Sequence, residues 1–238
     1  MSSNYVFDPH PVPAVPVHGS QQLYPVRRIF CVGRNYAAHA REMGGNPDRE
    51  PPFFFAKNPV HLAVVHPDGS TRIPYPPGTS DLHHEVELVV AIGQPAFRIT
   101  PEQAVACIWG HACGIDLTRR DLQAQAKDKR QPWTFAKNFE HAAVIGPLVP
   151  VADTGPLTRG AIRLSVNDQP RQHGDLSDMI WSLPEVISRL SHFYQLQPGD
   201  LIYTGTPEGV GPLQPGDWVS VWIDKLPHLE LHLADKLV

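Results

Sequence analysis

Hydrophobic positions along this chain recur mostly at every second residue, in short runs broken by proline and glycine. That is the spacing of strands, whose successive side chains point to opposite faces. Arg28–Val32, Phe53–Phe55, Arg163–Val166, Leu201–Thr204 and Trp218–Ile223 all predict strands, with a turn at Asn167-Asp168. The longest alternation runs from His83 to Ile92. Val86, Leu88, Val90 and Ile92 fill one face of a half-buried strand, and Glu85 and Glu87 project together from the other. A second apolar run, 112–116, ends on Asp116.

Helical spacing is scarcer. Ser182-Leu183-Pro184-Glu185 is a capping box, followed by an apolar stripe of Val186, Ile187, Leu190, Phe193 and Tyr194. Thr100-Pro101-Glu102-Gln103 repeats the signal and predicts a helix to about Trp109. A short helix is expected over Tyr36–Met43, with Asn35 as N-cap and Gly44-Gly45 as stop. A polar one is expected over Thr118–Lys129, ending before Pro132. Residues 66–82 read as a loop. Residues 1–25, with Pro9, Pro11, Pro13, Pro16 and Pro25, read as an extended arm before a single domain over 26–238.

Composition agrees with a strand-rich fold. The 26 prolines and 18 glycines exclude a helical bundle and point to a mixed α+β chain with many turns. The net charge of −4, without a basic run, argues against a nucleic-acid partner. Three cysteines without a CxxC pair suggest a reducing compartment and no thiolate zinc site. No signal-peptide pattern and no bilayer-length apolar run is found, so the expectation is a cytoplasmic protein without a membrane partner.

The chemistry centres on the paired glutamates. Two like charges side by side in a partly buried strand repel each other and resist dehydration. Either a divalent ion neutralises Glu85, Glu87 and Asp116, or these acids pair with Arg119, Arg120 or Lys137. Three carboxylates form an all-oxygen donor set that suits Mg²⁺, Mn²⁺ or Ca²⁺. His83 and His84 adjoin the set, as surface residues or as ligands. His39 and Glu42 are three apart on the short helix and share a face. They are either a solvated pair or a carboxylate-oriented base for activating water. Asp116, Arg120 and Gln123 share a side if the helix begins near Asp116, and Arg120 then offers a fork for a carboxylate. Thr204–Gly211 is glycine-rich without Gly-Lys-Ser/Thr, so it is not a nucleotide P-loop.

Five ordered segments resemble the fumarylacetoacetate hydrolase superfamily. They are Gly33-Arg34-Asn35-Tyr36-Ala37-Ala38-His39-Ala40-Arg41-Glu42-Met43, His84-Glu85-Val86-Glu87-Leu88, 114–123, Pro132-Trp133-Thr134-Phe135-Ala136-Lys137 and 199–211. The resemblance implies a mostly β, rolled-sheet fold with a few helices, and a homodimer. It implies that Glu85, Glu87 and Asp116 bind Mg²⁺ or Mn²⁺ (Ca²⁺ in some crystals) and that His39 and Glu42 form a water-activating lid dyad. Lys137 would join them in catalysis, and Arg34, Arg120, Gln123 and Thr206 would bind a small dioxo-acid substrate.

Within the superfamily the chain is similar to short acylpyruvate hydrolases, above all the fumarylpyruvate hydrolases of gentisate degradation. Oxaloacetate decarboxylation, enol–keto isomerisation and a silent metal- and oxo-acid-binding protein are the alternatives. Lys57-Asn58-Pro59 and Asn138-Phe139-Glu140 depart from the family pattern, and Lys57 is a candidate substrate contact.

Overall fold

The structure is a computed structural model that describes residues 5–42, 50–66 and 69–236. Its centre is an eight-stranded mixed sheet, ordered Phe53–Lys57, Arg28–Gly33, Asp200–Tyr203, Val86–Ile92, Ile108–Asp116, Ala143–Ile145 and Leu62–Val64, with Val149–Pro150 also paired to Ile108–Asp116. A five-stranded sheet packs against it: Gln169–Asp175, Ala161–Val166, Trp218–Ile223, Leu229–Lys236 and Arg72–Tyr75. A small sheet of Thr118–Arg119, Leu82–His84 and Gly211–Leu213 lies beside the two. Among the described residues no helix is long and apolar enough to cross a membrane.

The Val86–Ile92 strand explains why the site lies where it does. It is buried on both faces, not half-buried as its alternation suggested. Val86, Leu88, Val90 and Ile92 join the larger apolar cluster, with Ile162, Val221 and Leu190. Val89 and Ala91 join a second cluster with Val15, Tyr24, Ile29 and Cys31. Each such large side chain contributes roughly 2 kcal/mol on burial, so two cores clamp one strand. Glu87 shares the second face with Val89 and Ala91. Its charge is therefore carried into a fully enclosed layer.

Several sequence expectations change once tertiary packing acts. The continuous strand from His83 breaks at Glu85, which bridges strands of two different sheets. The helix after Thr100 stops at Ala104, and a 3₁₀ turn leads directly into a strand, because Ile108 pairs with Ile92. The polar helix runs Arg120–Asp128, since Thr118–Arg119 pair instead with His83 and Leu82. Asp116 thus ends a strand and starts no helix.

The capping box at Ser182 holds, but the helix closes at Ser191, and Phe193 and Tyr194 lie outside it, exposed. The supposed loop 66–82 contains the Arg72–Tyr75 strand, paired in parallel with the C-terminal strand. In the proline-rich arm, Ala14–Pro16 and Leu23–Pro25 form a hairpin that buries Val15 and Tyr24. The expected turn at Asn167-Asp168 has left-handed φ at both residues, 51° and 60°, as a tight hairpin demands. Met43 and the Gly44-Gly45 stop lie outside the described residues.

Candidate active site

Three strand ends bring the acids together. Glu85 sits at the break between two strands, Glu87 one step inside the next, and Asp116 at the end of the neighbouring strand. One oxygen from each lies within 4.8 Å of the others, and all three residues are buried. Two lysines reach the cluster. Lys137, on a single helical turn at Thr134–Lys137, donates to Glu85 Oε2 at 2.6 Å and to Asp116 Oδ2 at 2.8 Å. Lys57 Nζ lies 2.8 Å from Asp116 Oδ1 and donates to the carbonyls of Leu117 (3.1 Å) and Lys137. Lys57 is fully enclosed and faces the acids from within the fold, so it is no surface contact for substrate.

From the front, Arg120 donates to Glu85 Oε1 at 2.5 Å and to Gln123 Oε1 at 2.6 Å. Of the expected stripe of Asp116, Arg120 and Gln123, Asp116 lies outside the helix at a strand end, and the other two share a helix face. Arg119 does not share it: its guanidinium lies 4.3 Å from the Phe139 ring centroid and donates to the Phe135 carbonyl.

Glu87 differs from its two neighbours. Among the described residues no cation lies within ion-pair distance of it. Its Oε2 accepts the Gly205 N–H at 2.7 Å. Gly205 has φ 99°, and a Cβ there would meet the Asn35 Cβ at 2.6 Å, so only glycine brings its amide to this carboxylate. Burial, with Asp116 and Glu85 close by, drives the Glu87 carboxyl well above the ordinary carboxylate range; Gly205 and Lys137 offset only part of this. Burial also opposes charge on Glu85, but Lys137, Arg120 and His39 outweigh it and hold that carboxyl low. For Lys137, burial pulls the ammonium pKa down, and Asp116 and Glu85 reverse the sign, so it stays protonated.

The donor set fits a hard divalent ion. It is all carboxylate oxygen, its atoms converge, and Glu87 is the acid that the protein's own cations leave uncompensated. Asp116 Oδ1 in addition accepts no hydrogen bond, despite the nearby Lys57 charge. The cavity in front has a volume of about 30 Å³ and is lined by Arg34, His39, Gln123, Lys127 and Thr206 besides Glu85 and Glu87. A wider cleft of about 620 Å³ shares Phe53, Phe55, Trp133 and Lys137 with it.

His39 and Glu42 stand on the Ala37–Glu42 helix over this cavity. His39 Nδ1 is 3.0 Å from Glu42 Oε2. Glu42 Oε1 accepts the Gly209 N–H at 3.0 Å, which ties the helix to the 204–211 loop. The histidine is buried and the glutamate partly exposed, so this is more than a solvated surface pair. Asn35 caps nothing. It is fully buried and binds Trp181 N–H and O and Thr204 O, fixing the chain just before the Ala37–Glu42 helix to the loop after the Asp200–Tyr203 strand.

Neither adjoining histidine belongs to the carboxylate cluster. His83 accepts from Arg120 at 3.4 Å and pairs with Asp81. His84 is fully buried, 2.9 Å from Gln172 Oε1, and burial lowers it to about 4. Gln172, which no sequence pattern marked, also accepts the Val86 N–H and donates to Thr206 Oγ1 and Pro207 O. It thereby fixes the glutamate strand and the glycine loop to each other. The two departures from the family pattern meet in space: Asn138 Oδ1 accepts the Asn58 N–H at 2.7 Å and lies 2.9 Å from His61 Nδ1. Lys127, which the sequence reading does not single out, follows Arg120 and Gln123 at i, i+3, i+7 spacing, which puts all three on one face.

The rolled-sheet fold and its buried carboxylates are those of one protein class: the chain belongs to the fumarylacetoacetate hydrolase family, whose C-terminal-domain model matches residues 28–234. It is 43% identical to the fumarylpyruvate hydrolase of a Ralstonia species over 182 residues, 76% of this chain and 92% of that one. It is 39% identical to an oxaloacetate tautomerase of Escherichia coli K12 over 202 residues, 84% of this chain and 90% of that one. The crystal structure of fumarylpyruvate hydrolase from Pseudomonas aeruginosa in complex with Mn²⁺ and pyruvate superimposes with a TM-score of 0.96 at 45% identity, covering 98% of this chain and all of that one.

Proposed function

We propose that this enzyme hydrolyses a carbon–carbon bond in a 2,4-dioxo acid, splitting 3-fumarylpyruvate into fumarate and pyruvate. The observation that carries the proposal is the stacking of two devices. A water-activating dyad, His39–Glu42, is latched by Gly209 over three converging acids of which one, Glu87, has no cation of its own. The similarity to fumarylpyruvate hydrolases supports the substrate class.

Glu85, Glu87 and Asp116 would hold Mg²⁺ or Mn²⁺, which when bound supplies Lewis acidity to the substrate's oxo oxygens. The chain's own residues do the rest. Glu42 accepts a hydrogen bond from the His39 Nδ1–H, which fixes the tautomer and leaves Nε2 as the base for a water molecule. Transfer of one water proton to His39 Nε2 lets the water oxygen attack the 4-oxo carbon. The bond between C3 and C4 then breaks, and its electron pair goes to the pyruvate enolate. Lys137 stays protonated and, with Arg120, meets the negative charge that develops there. Gln123 and Thr206 orient the carboxylate and oxo groups, and a proton returned to C3 completes pyruvate. The lid excludes bulk water while this happens. Residues 26–238 act as one catalytic unit, working as a cytoplasmic homodimer in aromatic degradation through gentisate.

A second reading, oxaloacetate tautomerisation, is favoured by the E. coli relative. It needs proton transfer but no attacking water. The test is a product assay on 3-fumarylpyruvate and oxaloacetate with Mg²⁺, Mn²⁺ or EDTA. Ion-dependent release of fumarate and pyruvate is expected. Consumption of oxaloacetate alone would replace the hydrolase by the tautomerase.

A further inference from the structure

One wall of the cavity carries a second arrangement of charge. The Arg34 guanidinium lies 5.9 Å from the Phe53 ring centroid, and Lys127 Nζ lies 5.4 Å from that of Trp133. The two rings pack edge to face, with centroids 5.4 Å apart and an interplanar angle of 84°. Two cations therefore flank a pair of touching aromatic rings.

The backbone is shaped for this. Arg34 takes a left-handed φ of 60°. The Phe53 ring rests so close on Gly33 that a Cβ there would fall 2.0 Å from it. Among the described residues neither Arg34 nor Lys127 has a carboxylate within ion-pair distance. Burial lowers the Lys127 pKa, and Arg120 and Arg34 lower it further, as expected of a cation that still lacks an anion.

Charge complementarity says which anion. The charged side chains lining the cavity are four cations and two acids, while Asp116 and Lys57 neutralise each other behind it. A bound divalent ion adds two further positive charges. A monocarboxylate leaves this excess largely unmet, whereas a second carboxylate answers it where Arg34 and Lys127 stand.

We propose that Arg34 and Lys127 form a subsite for a second carboxylate at the far end of the acyl chain, with Phe53 and Trp133 as the apolar floor beneath a flat, unsaturated acyl group. This rests on the hydrolase reading and assigns the side chains that would meet the acyl group's own carboxylate. Arg34 and Lys127 are specificity residues and hold no part of the breaking bond.

The experiment compares the native enzyme, Lys127→Gln and Arg34→Asn, asparagine being at ease with a left-handed φ. The kcat/KM ratio for 3-fumarylpyruvate over 2,4-dioxopentanoate, which ends in a methyl group, should fall about tenfold to a hundredfold in each variant, chiefly through KM. Calorimetry with fumarate and crotonate, one a dicarboxylate and the other not, gives a readout free of turnover. The native protein should prefer fumarate, and both variants should lose that preference. An unchanged substrate ratio together with an unchanged fumarate preference overturns the subsite. If the native enzyme cleaves neither dioxo acid, the hydrolase reading falls, and the calorimetric preference still decides for or against the subsite.

Discussion

The floor and the lid of this site are built to opposite standards. The floor's acids come from strands locked between two apolar clusters, and each is fixed by groups more than twenty residues away in sequence: Lys137 for Asp116, Arg120 for Glu85, Gly205 for Glu87. The dyad stands on the Ala37–Glu42 helix, tied among the described residues by the Gly209 N–H to the Glu42 carboxylate and by the Asn35 anchor before it. The difference teaches a division of labour: converging charges need a scaffold that cannot relax, whereas a water-activating base must open for substrate and close again.

The sharpest way to break this comparison is at the floor. Glu87→Gln removes the uncompensated acid. Ion-dependent turnover should fall about a thousandfold or more, the scale of several kcal/mol of lost Lewis-acid stabilisation. The ion-free variant should melt no lower than the native protein, because a buried repulsion has gone, and its melting temperature should stop rising when Mn²⁺ is added. Next is the lid. His39→Ala should lower turnover by roughly a hundredfold to ten-thousandfold while the Mn²⁺-induced rise in melting temperature stays. If both variants lose ion binding, the floor and the lid are a single unit and the comparison fails.

Acid should attack the floor first. His84 and His111 are buried neutral, each held down to about 4 by burial, against an ordinary value of 6.5. At pH 7 both are neutral, folded or unfolded, and cost nothing. As pH falls below about 6.5 the unfolded chain takes up these protons and the folded chain does not. Stability should therefore decline between about pH 6.5 and 4, by on the order of 3 kcal/mol for each histidine. Urea titrations across this range check it, and His111→Asn should remove part of the slope. The smallest effect is expected from Glu42→Gln, which keeps an acceptor for the Gly209 amide but weakens the hold on the imidazole. Turnover should drop about tenfold to a hundredfold, with little change in melting temperature.

These contrasts also mark how far the sequence could be read. The pairing of Glu85 with Glu87 and the His39–Glu42 spacing are visible because alternation and helical periodicity are local rules, whereas the partnership with Asp116 rests on the resemblance to a known family. Lys57 stayed ambiguous because its acid partner is 59 residues on, at Asp116, and only the pairing of Arg28–Gly33 with Phe53–Lys57 carries it there. Gln172 gave no signal at all: its four hydrogen-bonding partners come from three other segments. Trp109 was read as helical because Thr100 opens a helix, and strand pairing between Ile92 and Ile108 overrode that local preference. Proline in residues 1–25 announced an extended path, while the burial of Val15 and Tyr24 was decided by the sheet they meet. Lys127 alone was legible and overlooked, two helical turns from Arg120.

Calorimetric titration of the metal-stripped native protein with Mn²⁺, beside Glu87→Gln and His39→Ala, tests the floor most directly. One ion per chain in the native protein and in His39→Ala, with binding lost in Glu87→Gln, is the predicted result. Undiminished Mn²⁺ affinity in Glu87→Gln, or a native protein that takes up no ion, would contradict the claim that these three carboxylates are built around a divalent cation.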